Sequence, residues 1–454
     1  MNYLASLRKV LKSKFDLIKN EDLKRNTLNA LPFWVGAFVS GTLAVLYAKL
    51  FSWAESGTLL IYEKTSWAFF IITPACFLVA WWIVVKYSPY SRGSGIPQVS
   101  AAIELTNPKH SYKVNVLLGL RVVFIKILSS LIMIFGGGAI GREGPTIQIS
   151  ASIFKKINDL LPAWYPKISK RNMIVTGAAS GLAAAFNTPL GGIVFAIEEL
   201  TKTHFSFFKS ALLTGVIIAG LTALNLSGPY LYLGYPSLGA MPFWIMFLIL
   251  PVAIITGIAG SGMGYTILFI FKKKKALKNN FQTGIYIVFC GLTVAALAVF
   301  LDIQTFGSGK EIITTTLFTD QKQVDWYLPI LRTVGPIISF STGASGGIFA
   351  PSLSAGASIG AVFSGWFHLT GTETDLLILC GMTGFLTSIT RSPFTSSILV
   401  LEMTDSHNVI FYIMLTALVS NLVASLVSKH SFYDHLKDQY ISEIHKNETQ
   451  QANP

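Results

Sequence analysis

The sequence predicts an all-α, polytopic membrane protein. Three observations lead there: a surplus of apolar residues, a set of uncharged runs of lipid length, and glycine-rich breaks that end in proline. Of 454 residues, 52% are hydrophobic and 13% charged, against about 25% charged in soluble domains. Such a surplus needs a solvent that is itself apolar. Residues 31–48, 67–85, 211–226, 242–271, 284–301 and 408–428 carry almost no charge. Each comes near the roughly 20 residues that cross the hydrocarbon as a helix. Many of the 38 glycines lie in or beside apolar stretches. Helices in lipid tolerate glycine where the freed backbone groups are buried in protein or line a cavity, so broken helices are expected rather than a plain bundle.

The net charge of +13 is clustered. Arg8, Lys9, Lys12, Lys14, Lys19, Lys24 and Arg25 crowd the N-terminal arm, Lys155, Lys156, Lys167, Lys170 and Arg171 form a second group, and Lys272 to Lys275 with Lys278 a third. Because these groups flank lipid-length segments, they read as positive-inside anchors on the cytoplasmic face, not as a nucleic-acid surface. The N-terminal arm lacks a secretory signal. Leu4, Leu7, Leu11, Phe15 and Ile18 fall on one helical face with lysines opposite, which predicts a basic amphipathic helix at the inner membrane surface within residues 1–30. Cys76, Cys290 and Cys380 sit in apolar stretches without CxxC spacing and read as core thiols. The histidines show no zinc pattern, so neither metal nor cofactor is expected. HExxH is absent, and an enzyme is not expected either.

A long polar linker is missing, and one membrane domain over 31–433 is the simplest reading, followed by a short cytoplasmic tail, 434–454. Two halves, about 31–226 and 239–433, resemble each other. One constant shift superposes Gly137 on Gly343, Gly141 on Gly347, Pro145 on Pro351 and Ser152-Ile153 on Ser358-Ile359. A shift two residues shorter superposes Gly177 on Gly381, Pro189 on Pro393 and Glu198 on Glu402. Repeats of this kind build transporters whose substrate site lies at the repeat interface near the bilayer midplane.

Three stretches carry the chemistry: Gly93-Ser94-Gly95-Ile96-Pro97, Gly141-Arg142-Glu143-Gly144-Pro145 and Gly346-Gly347-Ile348-Phe349-Ala350-Pro351. Each ends in a proline before a helix-compatible apolar run. Proline suits a first helical turn, where its missing N–H has no partner to lose, and glycine lets the backbone bend close to a ligand. Each stretch therefore predicts a helix that starts inside the protein. Such starts leave orphan N–H donors and about half a positive charge. Several converging on one point hold an anion without a full positive charge that would retain it. Glu143 is an ionisable residue at membrane depth and by default a functional one. Either it competes with a mobile anion for the same amides, or it is a capping glutamate paired with Arg142.

In this order and separation, the three stretches resemble the signature motifs of the CLC family of chloride channels and chloride/proton exchangers, and the similarity runs from about Leu31 to Leu436. The resemblance implies a homodimer with a separate pore in each subunit, built from two inverted repeats of tilted, partly broken helices. It implies that Glu143 is the external gating glutamate, that Ser94 contacts the central anion, and that the amides of Gly144, Ile348 and Phe349 line the anion path. Lys429-His430-Ser431-Phe432-Tyr433 looks like the segment of the family's pore tyrosine, Tyr433, whose alternative is an ordinary interfacial tyrosine. Phe195-Ala196-Ile197-Glu198-Glu199-Leu200 resembles the stretch in which a second glutamate, here Glu199, delivers protons from the cytoplasm. Glu198 is then its structural neighbour.

The function implied is secondary active exchange of chloride for protons in the inner membrane of the cell, with both termini cytoplasmic. The alternatives are a passive voltage- or pH-gated chloride channel and, against the evidence of Ser94, a fluoride/proton exchanger. One departure stands out. Gln98 and Ser100 follow Pro97 where better-known bacterial exchangers carry acidic residues, and Glu104 keeps a carboxylate further along.

Overall fold

Asn20 starts the first helix, α1 (Glu21–Lys64), by accepting the Leu23 N–H at 3.0 Å, the side-chain cap that an open helix start calls for. The computed structural model describes residues 19–107, 111–201, 209–227, 241–277, 279–320, 322–369 and 371–452, with Ser13, Asp16 and scattered positions between 233 and 239. Most of the expected N-terminal amphipathic helix lies outside the described residues. Residues 21–30, read from the sequence as its end, are the first turns of α1. The helix runs through Pro32, whose missing N–H leaves the Leu28 carbonyl without its helical donor. Tyr165 supplies one, its hydroxyl lying 2.6 Å from Leu28 O. Burial pushes that hydroxyl up to about 12, so it remains a donor.

The chain continues as α2 (Phe69–Tyr87), α3 (Ile96–Glu104), α4 (Leu120–Phe135), α5 (Glu143–Leu160), α6 (Lys170–Phe186), α7 (Pro189–Phe195) and α8 (Lys209–Ser227). A π-helical turn, Ala196–Thr201, extends α7. The second half repeats the series as α9 (Met246–Lys274), α10 (Asn280–Phe300), α11 (Lys310–Phe318), α12 (Leu328–Ser341), α13 (Phe349–Trp366), α14 (Thr372–Thr390), α15 (Pro393–Thr404) and α16 (Ile410–Val427). A last helix, α17 (Phe432–Ala452), has no counterpart among the described residues of the first half.

Seven helical segments among the described residues are long and apolar enough to span a bilayer, and this is a multi-pass membrane protein. Six of them match the runs read from the sequence to within one residue of overhang. The seventh, Ser111–Phe135, was hidden by Lys113, Arg121 and Lys126. By contrast α5, α6, α13 and α14 are buried along nearly their whole length. Small residues let such helices meet backbone to backbone, as packing in lipid favours. A methyl on Gly356 would strike the Gly381 carbonyl, and one on Gly360 the Leu377 carbonyl.

The two halves are inverted, and one pair of glycines shows the relation. Gly141 and Gly347 exchange two backbone hydrogen bonds, each 2.7 Å, as an isolated antiparallel bridge. They are also equivalent under the repeat. Equivalent residues paired antiparallel lie on either side of a two-fold axis, with the chain running in opposite directions. The helix caps obey the same relation. Glu198 accepts the N–H groups of Phe394 at 3.2 Å and Thr395 at 2.7 Å, capping α15. Glu402, within α15, accepts those of Leu190 at 3.0 Å and Gly191 at 2.7 Å, capping α7.

Candidate functional site

The three glycine-rich stretches, far apart in sequence, are bonded into one cradle. Gly93 donates to Ala344 O at 2.8 Å and accepts from Gly346 N at 3.2 Å, while Gly141 and Gly347 form the bridge on the axis. Ser345 adds its hydroxyl to Ser91 O at 2.6 Å. Gly95 takes a left-handed φ of 106°, which turns the chain directly into α3 and which a side chain would resist.

Helices α3, α5 and α13 all begin here, each with proline in its first turn: Pro97 at the second position, Pro145 and Pro351 at the third. Their first backbone bonds are made by Val99 to Gly95 O at 3.0 Å, Thr146 to Arg142 O at 2.9 Å and Ser352 to Ile348 O at 2.9 Å. The amides ahead of those points are the donors a helix start leaves over, and the positive ends of the dipoles add to them. The starts are close-packed. A methyl on Gly144 would run into Ser94 Oγ and lie 2.9 Å from Ser94 O. One on Gly347 would lie 3.1 Å from Pro145 Cδ and 3.2 Å from Gly144 N.

Two hydroxyls close the cradle from the side of α17. Ser94 Oγ and Tyr433 Oη are both buried without a hydrogen-bond partner, in side chains each 2% exposed. A polar atom buried that way is costly, and two converging on helix N-termini make a place that suits an anion. The Tyr433 ring stacks on Phe349, centroids 6.2 Å apart at 16°. Its hydroxyl lies within reach of Ser94 and feels the charges of both Glu199 and Glu143. The structure thus brings Ser94, Gly144, Ile348, Phe349, Tyr433 and Glu143 to one locality, with Glu199 within electrostatic range.

Glu143 is 1% exposed, and its carboxylate folds back over Gly141 against the start of α13. It also lines a cavity of about 300 Å³ with Lys49, Glu55, Arg142, Ser308 and Lys310. Glu199 is 6% exposed and accepts the Ser392 hydroxyl at 2.9 Å. The repeat counterparts of Glu143 and Glu199 are Phe349 and Met403. The scaffold is symmetric, and these two carboxylates are not repeated in it.

Sequence reasoning passed over several members of the site. Lys126, fully buried, donates to Gly93 O at 2.9 Å and holds the first stretch in place. A lone lysine in an apolar run was the available signal. Ser392 and the cavity residues Lys49, Glu55 and Lys310 carried none. Beyond Tyr433, the segment read as a tail is the packed helix α17, with Leu436, Tyr440 and Ile444 buried. Its Lys437 pairs with Glu104 at 3.1 Å. Burial opposes that ammonium, but the hydrogen bond and charge of Glu104, with Asp438 and Asp434, outweigh it and hold it above the usual lysine range.

Comparison with known proteins agrees with this architecture. The family described as voltage gated chloride channel matches residues 76–425. An H(+)/Cl(-) exchange transporter ClcA of Klebsiella pneumoniae (strain 342) is 27% identical over 437 residues, covering 92% of this chain and 90% of that one. A ClcA of Cronobacter sakazakii is 29% identical over 382 residues, covering 80% and 78%. Among solved structures, a slow cyanobacterial Cl-/H+ antiporter superposes with a TM-score of 0.79 at 23% identity, over 91% of this chain and 98% of that one. A CLC-type fluoride/proton antiporter superposes at 0.76 and 20% identity over the same shares, which shows the shared fold.

Proposed function

The chain belongs to the voltage gated chloride channel (CLC) family, and from that premise we propose that it is a secondary active antiporter exchanging chloride for protons. One observation carries the reading. A buried carboxylate, Glu143, stands at the start of α5 in the same cradle of helix N-termini that holds two unpartnered hydroxyls. Ionised, that carboxylate is stabilised by the amides and dipoles that would stabilise chloride. Protonated, it loses the attraction and yields its place. Chloride and Glu143 therefore alternate in one dehydrated position, and each exchange moves a proton relative to an anion.

In this reading Ser94 and Tyr433 donate their hydroxyls to the anion, and the amides of Gly144, Ile348 and Phe349 complete its shell. Glu199 relays protons from the cytoplasmic side, with the Ser392 hydroxyl orienting its carboxylate. A buried titratable group there favours exchange over a passive channel. Ser94 suits chloride better than fluoride. The cations Lys272 and Lys273 lie in the last turn of α9, which supports a cytoplasmic location for that end, and the proposal puts both termini on the same cytoplasmic side of the inner membrane of the cell. A homodimer with one pathway per subunit completes the proposal, and neither nucleic acid nor a catalysed reaction enters it.

The test is a chloride gradient imposed across liposomes holding the full chain, with no pH gradient. Chloride-driven proton movement is expected, and its absence during chloride flux rejects exchange in favour of a channel. Glu143→Gln should abolish proton coupling and the rise in flux with falling pH. Glu199→Gln should lose proton movement and keep chloride flux. A fluoride gradient that drives protons better than chloride would overturn the choice of anion.

A further inference from the structure

Ser94 and Tyr433 face each other from two different rigid pieces, and their separation has to be set by something. Ser94 lies on the loop entering α3, and Tyr433 on the first turn of α17. Two turns along α17, or about 10 Å at 1.5 Å per residue, Tyr440 falls on the same face as Tyr433. It is 4% exposed. Its hydroxyl accepts from Gln98 Nε2 at 3.1 Å and from Arg92 Nε at 3.4 Å. Its ring carries the Arg92 guanidinium 4.8 Å from the centroid and lies 6.2 Å from that of Tyr90. Arg92 stands two residues before Ser94, and Gln98 is in the first turn of α3.

Gln98 accounts for its own presence. The same amide nitrogen lies 2.6 Å from Arg92 O and 3.2 Å from Tyr90 O. A carboxylate at this position has no proton to donate and would face two carbonyls. The departure noted in the sequence is therefore matched by a donor that ties the loop to α17. One turn beyond Tyr440, Glu443 takes Arg92 Nη2 at 2.5 Å. Both partners of that ion pair are about one-third exposed, at 32% each, and a pair so open to solvent contributes little by itself. The buried hydroxyl is the hub.

On the reading of Ser94 and Tyr433 as anion ligands, we propose that Tyr440, held by Gln98 and Arg92, is a positioning residue that fixes the gap between those two hydroxyls and so sets chloride affinity at the inner side of the cradle. The helix transmits the constraint because α17 between the two tyrosines is continuous. Glu104 and Lys437 pair at 3.1 Å between the far end of α3 and α17, but Glu104 is 57% exposed, so this pair too adds little by itself.

The experiment measures chloride affinity by titration calorimetry on the purified full chain, beside thermal unfolding. Tyr440→Phe keeps the ring and removes the hydroxyl. Chloride binding should weaken roughly five- to tenfold, the effect of losing one ordinary hydrogen bond, with the unfolding midpoint little changed. Gln98→Glu should weaken it at least as much. Arg92→Ala removes one donor to the Tyr440 hydroxyl and should weaken it too, while Arg92→Lys, which keeps a cationic donor beside that ring, should weaken it less, a grading that mere packing would not give. Wild-type affinity in both Tyr440→Phe and Gln98→Glu overturns the proposal, as does an Arg92→Lys variant no better than Arg92→Ala. A parent protein that binds no chloride overturns the transport reading itself, and that result needs no variant.

Discussion

Replacing Gly144 with alanine tests the close-packed cradle most directly. The added methyl would collide with Ser94 Oγ, sit 2.9 Å from Ser94 O and 3.2 Å from Ser94 Cβ. Two of those atoms cannot swing away, being the backbone carbonyl and the Cβ. Nor can α5 retreat, because Gly141 just before it is bonded twice to Gly347 at 2.7 Å. Overpacking of this kind costs about 1–3 kcal/mol. If the strain falls on the anion place, chloride binding should weaken by roughly 5- to 150-fold, since each 1.4 kcal/mol is about tenfold. Titration calorimetry and chloride efflux from liposomes measure it. The control is Gly262→Ala within α9, where an added methyl meets nothing within 4 Å. An alanine there should leave binding unchanged and favour the helix by about 0.5–1 kcal/mol. Wild-type affinity in Gly144→Ala, or equal damage from Gly262→Ala, would refute the geometry.

The helix caps give a symmetry test: Glu198→Ala and Glu402→Ala should each destabilise by about 0.5–2 kcal/mol, the first more because Glu198 also accepts the Thr395 hydroxyl at 2.7 Å, read as unfolding midpoints in detergent. A loss in only one of the two variants would argue against reciprocal capping. Ser392→Ala removes the hydrogen bond to Glu199 at 2.9 Å; proton flux should fall several-fold while chloride flux changes little, and an equal fall in both would reject an orienting role. Tyr165→Phe leaves the Leu28 carbonyl beside Pro32 without its donor and should cost about 1–3 kcal/mol. Burial raises the Tyr165 hydroxyl from 10.0 to about 12, so its contribution is complete below pH 10 and is lost as pH rises through about 12. Part of the alkaline destabilisation should therefore vanish in that variant, as unfolding against pH would show.

What could be read along the chain was what local chemistry encodes. Apolar runs announced six of the spans, because a helix in lipid must be long and uncharged whatever surrounds it. Prolines 97, 145 and 351 announced three helix starts, because a first turn is the one place where a missing N–H costs nothing. Repeated glycines and glutamates announced the duplication. The seventh span escaped because Lys126 looks prohibitive at membrane depth until its acceptor, Gly93 O, is known. The residues after 433 looked like a tail because, past Tyr433, the hydrophobic side chains that α17 buries among the described residues are Leu436, Tyr440 and Ile444, all on one face.

By itself, then, the sequence determined the membrane class, the places where helices begin, and the residue types able to hold an anion and a proton. Only the tertiary structure decided that those helix starts share one cradle, that Gly141 and Gly347 sit across the two-fold axis, and that Glu198 caps a helix while its neighbour Glu199 bonds Ser392. The physical reason is range. Capping, proline geometry and hydropathy act within a turn or a span, whereas the hydrogen bonds that assemble the cradle join residues some 200 positions apart, as Gly141 to Gly347, and nothing in either segment alone specifies the other.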